Sequence, residues 1–213
     1  MKKLVIALAL VLGCASGCTY KAPVDSIKGV NVYSAYEEKI PGNFAVIVNT
    51  DESLFNKTVS PSSYQCGAHD FDLEFASSFA ASVKEANTNI FESIVSRSTV
   101  PTVAEMAKDN LSGYVLIQGK FFEPRISFIP GFWSSRANAT VNIGFDYSVR
   151  NAKNDLIVTG SVSGERSFEG QAGAFCGGGT EILMEATQKA MRDVLERYGE
   201  RVSNSEKLRK ACK

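Results

Sequence analysis

The sequence predicts an α+β domain. We expect a two-layer sandwich in which a mainly antiparallel sheet of about four or five strands carries two long helices on one face. Residues 141–149 alternate strictly between apolar and polar side chains, which is typical of a half-buried antiparallel strand. Residues 71–95 and 180–202 instead repeat their apolar side chains at helical spacing, which indicates two amphipathic helices.

The remaining elements follow from short apolar runs and the turn signals between them. Residues 43–49 predict the first strand, and residues 114–122 predict a second one. A short helix is expected over 103–109, after a proline that breaks the chain. Residues 151–155 have the Asn- and Asp-rich composition of a hairpin turn, so residues 156–168 are expected to return as a strand.

The N-terminus has the composition of an export signal. Two lysines precede the apolar run Leu4–Leu12, which is too short to span a bilayer and leads into small residues and cysteines. An apolar run that ends in a small residue before Cys resembles the bacterial lipobox, in which the thiol is acylated and becomes the mature N-terminus. Residues 1–17 are therefore predicted to be a lipoprotein-type signal peptide, and the protein is expected to be held at a membrane by lipid.

The anchor residue has two candidates. Cys18 gives a signal of more usual length, whereas Cys14 follows the apolar run directly but leaves a very short signal, so Cys18 is preferred and Cys14 stays the alternative. Ordinary cleavage after Gly17 is the competing outcome. Beyond the anchor we expect a polar tether over 18–42, a single periplasmic domain over 43–202 and a polar tail over 203–213.

Charge and histidine content exclude several classes of function. The chain has 23 basic and 23 acidic residues, and loss of Lys2 and Lys3 with the signal leaves it nearly neutral. No basic stripe is present, so nucleic-acid binding is not expected. His69 is the only histidine, which excludes a zinc site built from several imidazoles. We predict no cofactor, no metal and no catalytic residue.

Export changes the meaning of the internal cysteines. In an oxidising compartment they are candidates for a disulfide bond and not for reactive thiols. Cys66 and Cys176 each lie in a polar, glycine-containing loop just ahead of a predicted helix. If the two helices lie side by side on the sheet, these loops meet, so a Cys66–Cys176 disulfide is predicted. Cys212 lies in the polar tail, and the sequence assigns it no partner.

Residues 121–133 place five aromatic side chains around two prolines and a glycine. One interpretation is a long hairpin connection that folds back over the core. The other is an exposed apolar loop, because soluble monomers avoid large exposed apolar patches unless something binds there. On this second interpretation the partner-binding residues are Phe128, Ile129, Phe132 and Trp133, and the partner is an envelope protein, a second copy of the chain or the membrane interface.

The order of elements also carries a resemblance. The strand at 113–119 and the hairpin at 141–167, behind a lipobox-like start, resemble a group of small α/β outer-membrane lipoproteins. The group includes the lipoprotein plug of the lipopolysaccharide translocon, activators of penicillin-binding proteins and the periplasmic domain of the curli secretion lipoprotein. The likeness covers roughly residues 43–200 in pattern and topology, without a signature motif, so no functional residue is carried over.

The resemblance implies a non-catalytic binding or accessory subunit of an envelope assembly or transport machine. By the sorting rule familiar from enteric bacteria, Thr19 after Cys18, or Ala15 after Cys14, favours the outer membrane, with the domain facing the periplasm. Two other functions stay open. One is a structural subunit of a ring or appendage base, and the other is a periplasmic hydrolase that uses His69 and nearby carboxylates.

Overall fold

The computed structural model describes residues 18–131, 135–173 and 176–212. The predicted signal peptide, with Cys14, therefore lies outside the described residues. Within them the chain forms eight strands and five helices. The strands are β1 Thr19–Pro23, β2 Ile40–Asn49, β3 Lys57–Val59, β4 Asp70–Glu74, β5 Phe91–Arg97, β6 Gly113–Ile129, β7 Ser135–Asn151 and β8 Leu156–Gly173. The helices are α1 Glu52–Phe55, α2 Ala76–Ile90, α3 Val103–Lys108, α4 Gly179–Ser203 and α5 Glu206–Ala211.

The larger sheet has five strands in the order β5-β2-β6-β7-β8. The α+β class is confirmed, and the sheet is mixed. β2 pairs in parallel with both β5 and β6, whereas β7 pairs antiparallel with both β6 and β8, so the predicted antiparallel pairing holds for β6, β7 and β8 and not for β2. The chain crosses over through α2 between β2 and β5, and a crossover of this kind returns the next strand in the same direction. Alternation of apolar and polar residues within one strand does not reveal the direction of the strands beside it. That both long helices lie on one face of this sheet stays a prediction.

A smaller sheet, in the order β1-β4-β3, uses residues that the sequence analysis assigned to a tether. Instead of leading freely to the domain, Thr19–Pro23 pairs in parallel with β4. Beyond it, Val24, Ile27 and Val30 are buried in the main core, and the Ile27 N–H donates to the hydroxyl of Ser82 at 2.8 Å. The apolar residues here are few and widely spaced, so the sequence alone predicts a polar linker.

The predicted helix over 71–95 is also shorter than expected. Its first residues form β4, the helix α2 occupies Ala76–Ile90, and its last residues begin β5. The side-chain oxygen of Asn56 accepts the N–H groups of Phe75 and Ala76 at 2.9 and 3.0 Å, which satisfies donors at the start of the helix. Apolar spacing continues through both strands and therefore hides the two boundaries.

The C-terminal elements follow the sequence more closely. The predictions of a short helix near 103–109, a helix over 180–202 and a hairpin turn over 151–155 are confirmed. The predicted polar tail differs, because α5 forms within it and Leu208 is buried at 1% exposure. Ser205 caps this helix by accepting the Leu208 N–H. Arg209 also donates to the Glu38 carbonyl, so this helix is bound to the domain by an apolar and a polar contact.

Tyr198 of α4 lies at the centre of the packing between the sheet and the helices. Its ring contacts Phe145 of β7, which also contacts Phe79 of α2. Its hydroxyl donates to the side-chain oxygen of Asn87 on α2 at 2.8 Å, and both residues are fully buried. Burial raises the pKa of Tyr198 well above its usual range. One tyrosine thus joins the two long helices and the sheet.

We predict that Tyr198→Phe lowers the free energy of unfolding by about 1–2 kcal/mol, because the Asn87 oxygen is left buried without its donor. Denaturant unfolding of the full chain measures the change. Tyr64→Phe is the matched control, since Tyr64 is fully exposed and its hydroxyl faces solvent. Equal stability of the Tyr198→Phe variant and the wild type would contradict a structural role for this hydrogen bond.

Candidate functional site

Cys18, the preferred anchor residue, lies directly against the folded domain. It is exposed and its thiol is not in a disulfide. Its carbonyl oxygen accepts the Asp70 N–H at 3.2 Å, and the next residue, Thr19, is already the first residue of β1. A group attached to Cys18 is therefore joined directly to the first strand of a sheet, without a flexible spacer.

Asp72 fastens β1 to the rest of the smaller sheet. This residue lies on β4 between Lys21 of β1 and Thr58 of β3. Its carboxylate accepts the Thr58 hydroxyl at 2.7 Å and the Lys21 ammonium at 2.9 Å. These two contacts, with the Thr58 hydrogen bond first, lower the pKa of Asp72. One charged side chain thus connects all three strands, including the strand that follows Cys18.

Several other elements begin or end beside Cys18. Because β1 and β4 run in parallel, the connection 60–69 reaches β4 at this end of the sheet. The ring of Phe128, near the end of β6, lies 6.0 Å from the ring of Phe71 on β4. At the same place Ser135 of β7 pairs with Gly173 of β8, and the chain continues into α4. We call this surface the Cys18 end; its described residues are Cys18, 60–69, 129–131 and 176–178.

The predicted disulfide is present at the Cys18 end. Cys66 and Cys176 are bonded, with their Cα atoms 6.0 Å apart and a separation of 110 positions in the sequence. Both residues have left-handed backbone angles, with φ of 61° and 64°, which are uncommon outside glycine. The bond ties the connection 60–69 to the residues just ahead of α4, so these two segments are held together covalently.

The predicted aromatic loop 121–133 is for the most part a strand. β6 continues to Ile129, and Pro124 is tolerated within it because β2 pairs with β6 only as far as Gln118. Beyond that point one side of β6 has no strand to receive a backbone N–H, so a residue without one costs little. The hairpin connection itself is therefore short, running from Ile129 to Ser135.

The four predicted partner-binding residues are separated by this change. Phe128 is 3% exposed and stacks on Phe71, and its N–H donates to the Ser63 hydroxyl at 2.8 Å. It belongs to the core, so its assignment to a contact surface is corrected. Ile129, the next residue, faces the other side and is 49% exposed. Phe132 and Trp133 lie outside the described residues.

Tyr64 is a surface residue that the sequence analysis did not select. Its side chain is fully exposed and lies next to Ser63, the residue bonded to Phe128. The signal was available in the sequence, because Tyr64 is the one aromatic residue in an uncharged loop beside a predicted disulfide. Tyr64 and Ile129 are thus neighbours of a hydrogen-bonded pair at the Cys18 end.

His69 also lies at this end, but the nearby carboxylates are engaged elsewhere. The Asp70 carboxylate accepts the Ser60 hydroxyl at 2.6 Å, and Asp72 binds Lys21 and Thr58. The His69 ring lies beside Tyr20 at 5.5 Å, and its buried Nδ1 has no hydrogen-bond partner among the described residues. Within the same residues there is no cluster of three or more His, Cys, Asp or Glu side chains able to hold a metal.

Comparison with known proteins identifies a shared fold. The chain matches no protein-family model and no curated protein sequence. Among solved structures it is similar to protein XCC0632 of Xanthomonas campestris, described as a DUF330 protein, with 9% identity and a TM-score of 0.50 over 85% of this chain and 91% of that one. At this identity the likeness shows the fold alone.

Two further solved structures are more distantly similar. A homolog of a neuraminyllactose-binding hemagglutinin from Helicobacter pylori has 9% identity and a TM-score of 0.37, covering 81% of this chain and 90% of that one. A minor lipoprotein from Acinetobacter baumannii has 8% identity and a TM-score of 0.31, covering 78% and 90%. The particular resemblances drawn from the sequence stay predictions. Over the described part of the chain, none of the helices has the length and apolar character needed to cross a bilayer.

We predict that replacing both Cys66 and Cys176 with serine lowers the free energy of unfolding by about 2–4 kcal/mol, because the bond closes a very long loop. Urea unfolding with and without a reducing agent measures the effect. The reducing agent should destabilise the wild type and leave the double variant unchanged. A wild type that is indifferent to reduction would contradict a stabilising bond.

We predict that Asp72→Asn weakens the domain at neutral pH by about 0.5–1 kcal/mol. Because folding lowers the pKa of this carboxyl, the charged form stabilises the fold above about pH 4, and that stabilisation is lost as the pH falls through the lowered pKa. The difference between wild type and variant should therefore shrink below about pH 4. Thermal unfolding across pH 3–7 measures it, with the exposed Asp25→Asn as control.

Proposed function

We propose that the protein is an outer-membrane lipoprotein that faces the periplasm and serves as a non-catalytic binding or accessory subunit of an envelope assembly or transport machine. The observation that carries the proposal is the position of Cys18. It follows an export-like sequence, its thiol is exposed and unpaired, and it immediately precedes β1. Cleavage before Cys18 would leave every described strand and helix intact.

The non-catalytic part of the proposal is supported by the engagement of the titratable groups around His69. A hydrolase that used this histidine would need a carboxylate to orient its ring and a nucleophile within hydrogen-bond reach. The two nearest aspartates along the chain, Asp70 and Asp72, instead bind Ser60, Thr58 and Lys21 within the smaller sheet. The hydrogen bonds of these two carboxylates thus stabilise the smaller sheet and do not orient His69.

A second candidate, a structural subunit of a ring or appendage base, is favoured by one edge of the larger sheet. β5 is the last strand on its side, and Val95 on this strand is 40% exposed. An open strand edge with exposed apolar residues is a template for pairing with another chain. Sedimentation of the purified protein separates the candidates, because a ring subunit forms larger species as its concentration rises and an accessory monomer does not.

We predict that Cys18→Ser abolishes acylation and releases the protein from membranes, whereas Cys14→Ser leaves both unchanged. Intact-mass spectrometry of the N-terminus and membrane fractionation measure the two outcomes.

Crosslinking in intact cells then tests the accessory role. The Cys18→Ser variant should lose the partner that the wild type captures, and His69→Ala should retain it.

The reverse pattern would refute the proposal. Acylation that survives in Cys18→Ser and disappears in Cys14→Ser would move the anchor to Cys14. Loss of function in His69→Ala, with its thermal midpoint unchanged, would favour the hydrolase instead of an accessory subunit.

A further inference from the structure

The Cys18 end differs from the rest of the surface in its lack of charge. The described parts of three connections meet there, from those that join β3 to β4, β6 to β7 and β8 to α4. These described residues, 60–69, 129–131, 135, 171–173 and 176–179, include no Asp, Glu, Lys or Arg, although 22% of the chain is charged. Two sites of charge border this end. Arg136 and Glu169 form an ion pair between neighbouring strands and add no net charge, and the Asp70 carboxylate accepts the Ser60 hydroxyl.

The opposite end of the same strands has the usual charged surface. The turn between β7 and β8 contains Lys153 and Asp155. The helix α3, which leads into the start of β6, is followed by Asp109, and this residue forms an ion pair with Arg97. Charge is therefore distributed unevenly along the length of the sheet, and the uncharged end is the one that contains Cys18.

Two exposed side chains give the uncharged end an apolar and aromatic character. Tyr64 is fully exposed and Ile129 is 49% exposed. They are held near each other because the Ser63 hydroxyl accepts the Phe128 N–H at 2.8 Å and the Ser62 N–H donates to the Ile126 carbonyl at 2.9 Å. Tyrosine is enriched at the level of lipid headgroups, where its ring is apolar and its hydroxyl remains hydrated.

We propose that the Cys18 end is a membrane-contacting surface and that Tyr64 and Ile129 enter the headgroup region of the lipid layer. The proposal rests on the proposed function, because it takes Cys18 as the acylated residue. Cys18 is bonded through its carbonyl to Asp70 and precedes β1 without a spacer, so its acyl chains hold this end against the lipid. The residues of the Cys18 end are uncharged and lose little hydration there, whereas charged groups would be costly to move from water. The Asp70 carboxylate at the margin of this end is hydrogen-bonded to Ser60.

The Cys18 end meets the lipid as a fixed surface. The Cys66–Cys176 bond joins two of its three connections, and the hydrogen bonds from Ser62 and to Ser63 join β6 to the first of them. Asp72 fixes β1, and with it Cys18, to the same sheet. Lipid attachment therefore sets the orientation of the whole domain as well as its location.

The test measures which tryptophan positions reach the lipid. In a Trp133→Phe background, which removes the single native tryptophan, the full acylated chain is prepared as Tyr64→Trp, Ile129→Trp and, as the matched control at the opposite end, Lys153→Trp. Each is reconstituted on vesicles of phosphatidylethanolamine and phosphatidylglycerol that contain brominated acyl chains. We expect the emission of the first two variants to fall at least about twofold and that of the control to stay unchanged. The loss should not depend on salt, because the residues proposed to enter the lipid are uncharged.

Each other outcome overturns the proposal and identifies what replaces it. Vesicle flotation is measured on the same samples. A protein that floats with the vesicles without quenching at positions 64 and 129 keeps its anchor but does not use this surface. Failure to float refutes the anchor and the surface together. A concentration-dependent blue shift of Tyr64→Trp without vesicles, with no quenching on them, would assign the surface to a second copy of the chain.

Discussion

The parallel pairing of β1 with β4 is the interaction on which the rest of this interpretation depends. It places Thr19 inside a sheet and leaves Cys18 bonded to Asp70 at the margin of the fold. Asp72 reinforces the pairing through contacts with both neighbouring strands. A flexible N-terminal segment without such pairing would allow the domain to move freely relative to a lipid anchor. Here the first described residues are hydrogen-bonded to the smaller sheet.

The sequence could predict those elements in which one local pattern dominates. The strand over 141–149 and the helix over 180–202 each keep a single period, and both were located correctly. The disulfide was predictable from export and loop composition, although Cys66 precedes β4 and not the helix that the sequence predicts there. In each case local chemistry and tertiary structure require the same residues, so propensity and packing do not compete.

The other elements depend on tertiary contacts with residues distant in the sequence, which a local pattern does not contain. The parallel pairing of β2 arises from a crossover, and the burial of Val24 and Ile27 arises from contact with a helix far along the chain. Phe128 was expected at the surface because prolines and aromatic residues suggested a loop. It is buried because β6 continues through Pro124 along a side where no strand needs a hydrogen bond. Tyr64 was missed because clusters of aromatic residues were sought, whereas Tyr64 stands alone in an uncharged loop beside a predicted disulfide.

The length of the hairpin formed by β6, β7 and β8 gives the domain a measurable height. β7 contains 17 residues, and at the rise of an extended strand this corresponds to about 55 Å. β6 ends near Cys18, and the turn at 151–155 lies at the opposite end of these strands. With the Cys18 end on the lipid, that turn would stand at most this distance from it. The length of the strands would then limit the distance from the bilayer at which the turn at 151–155 could contact another protein.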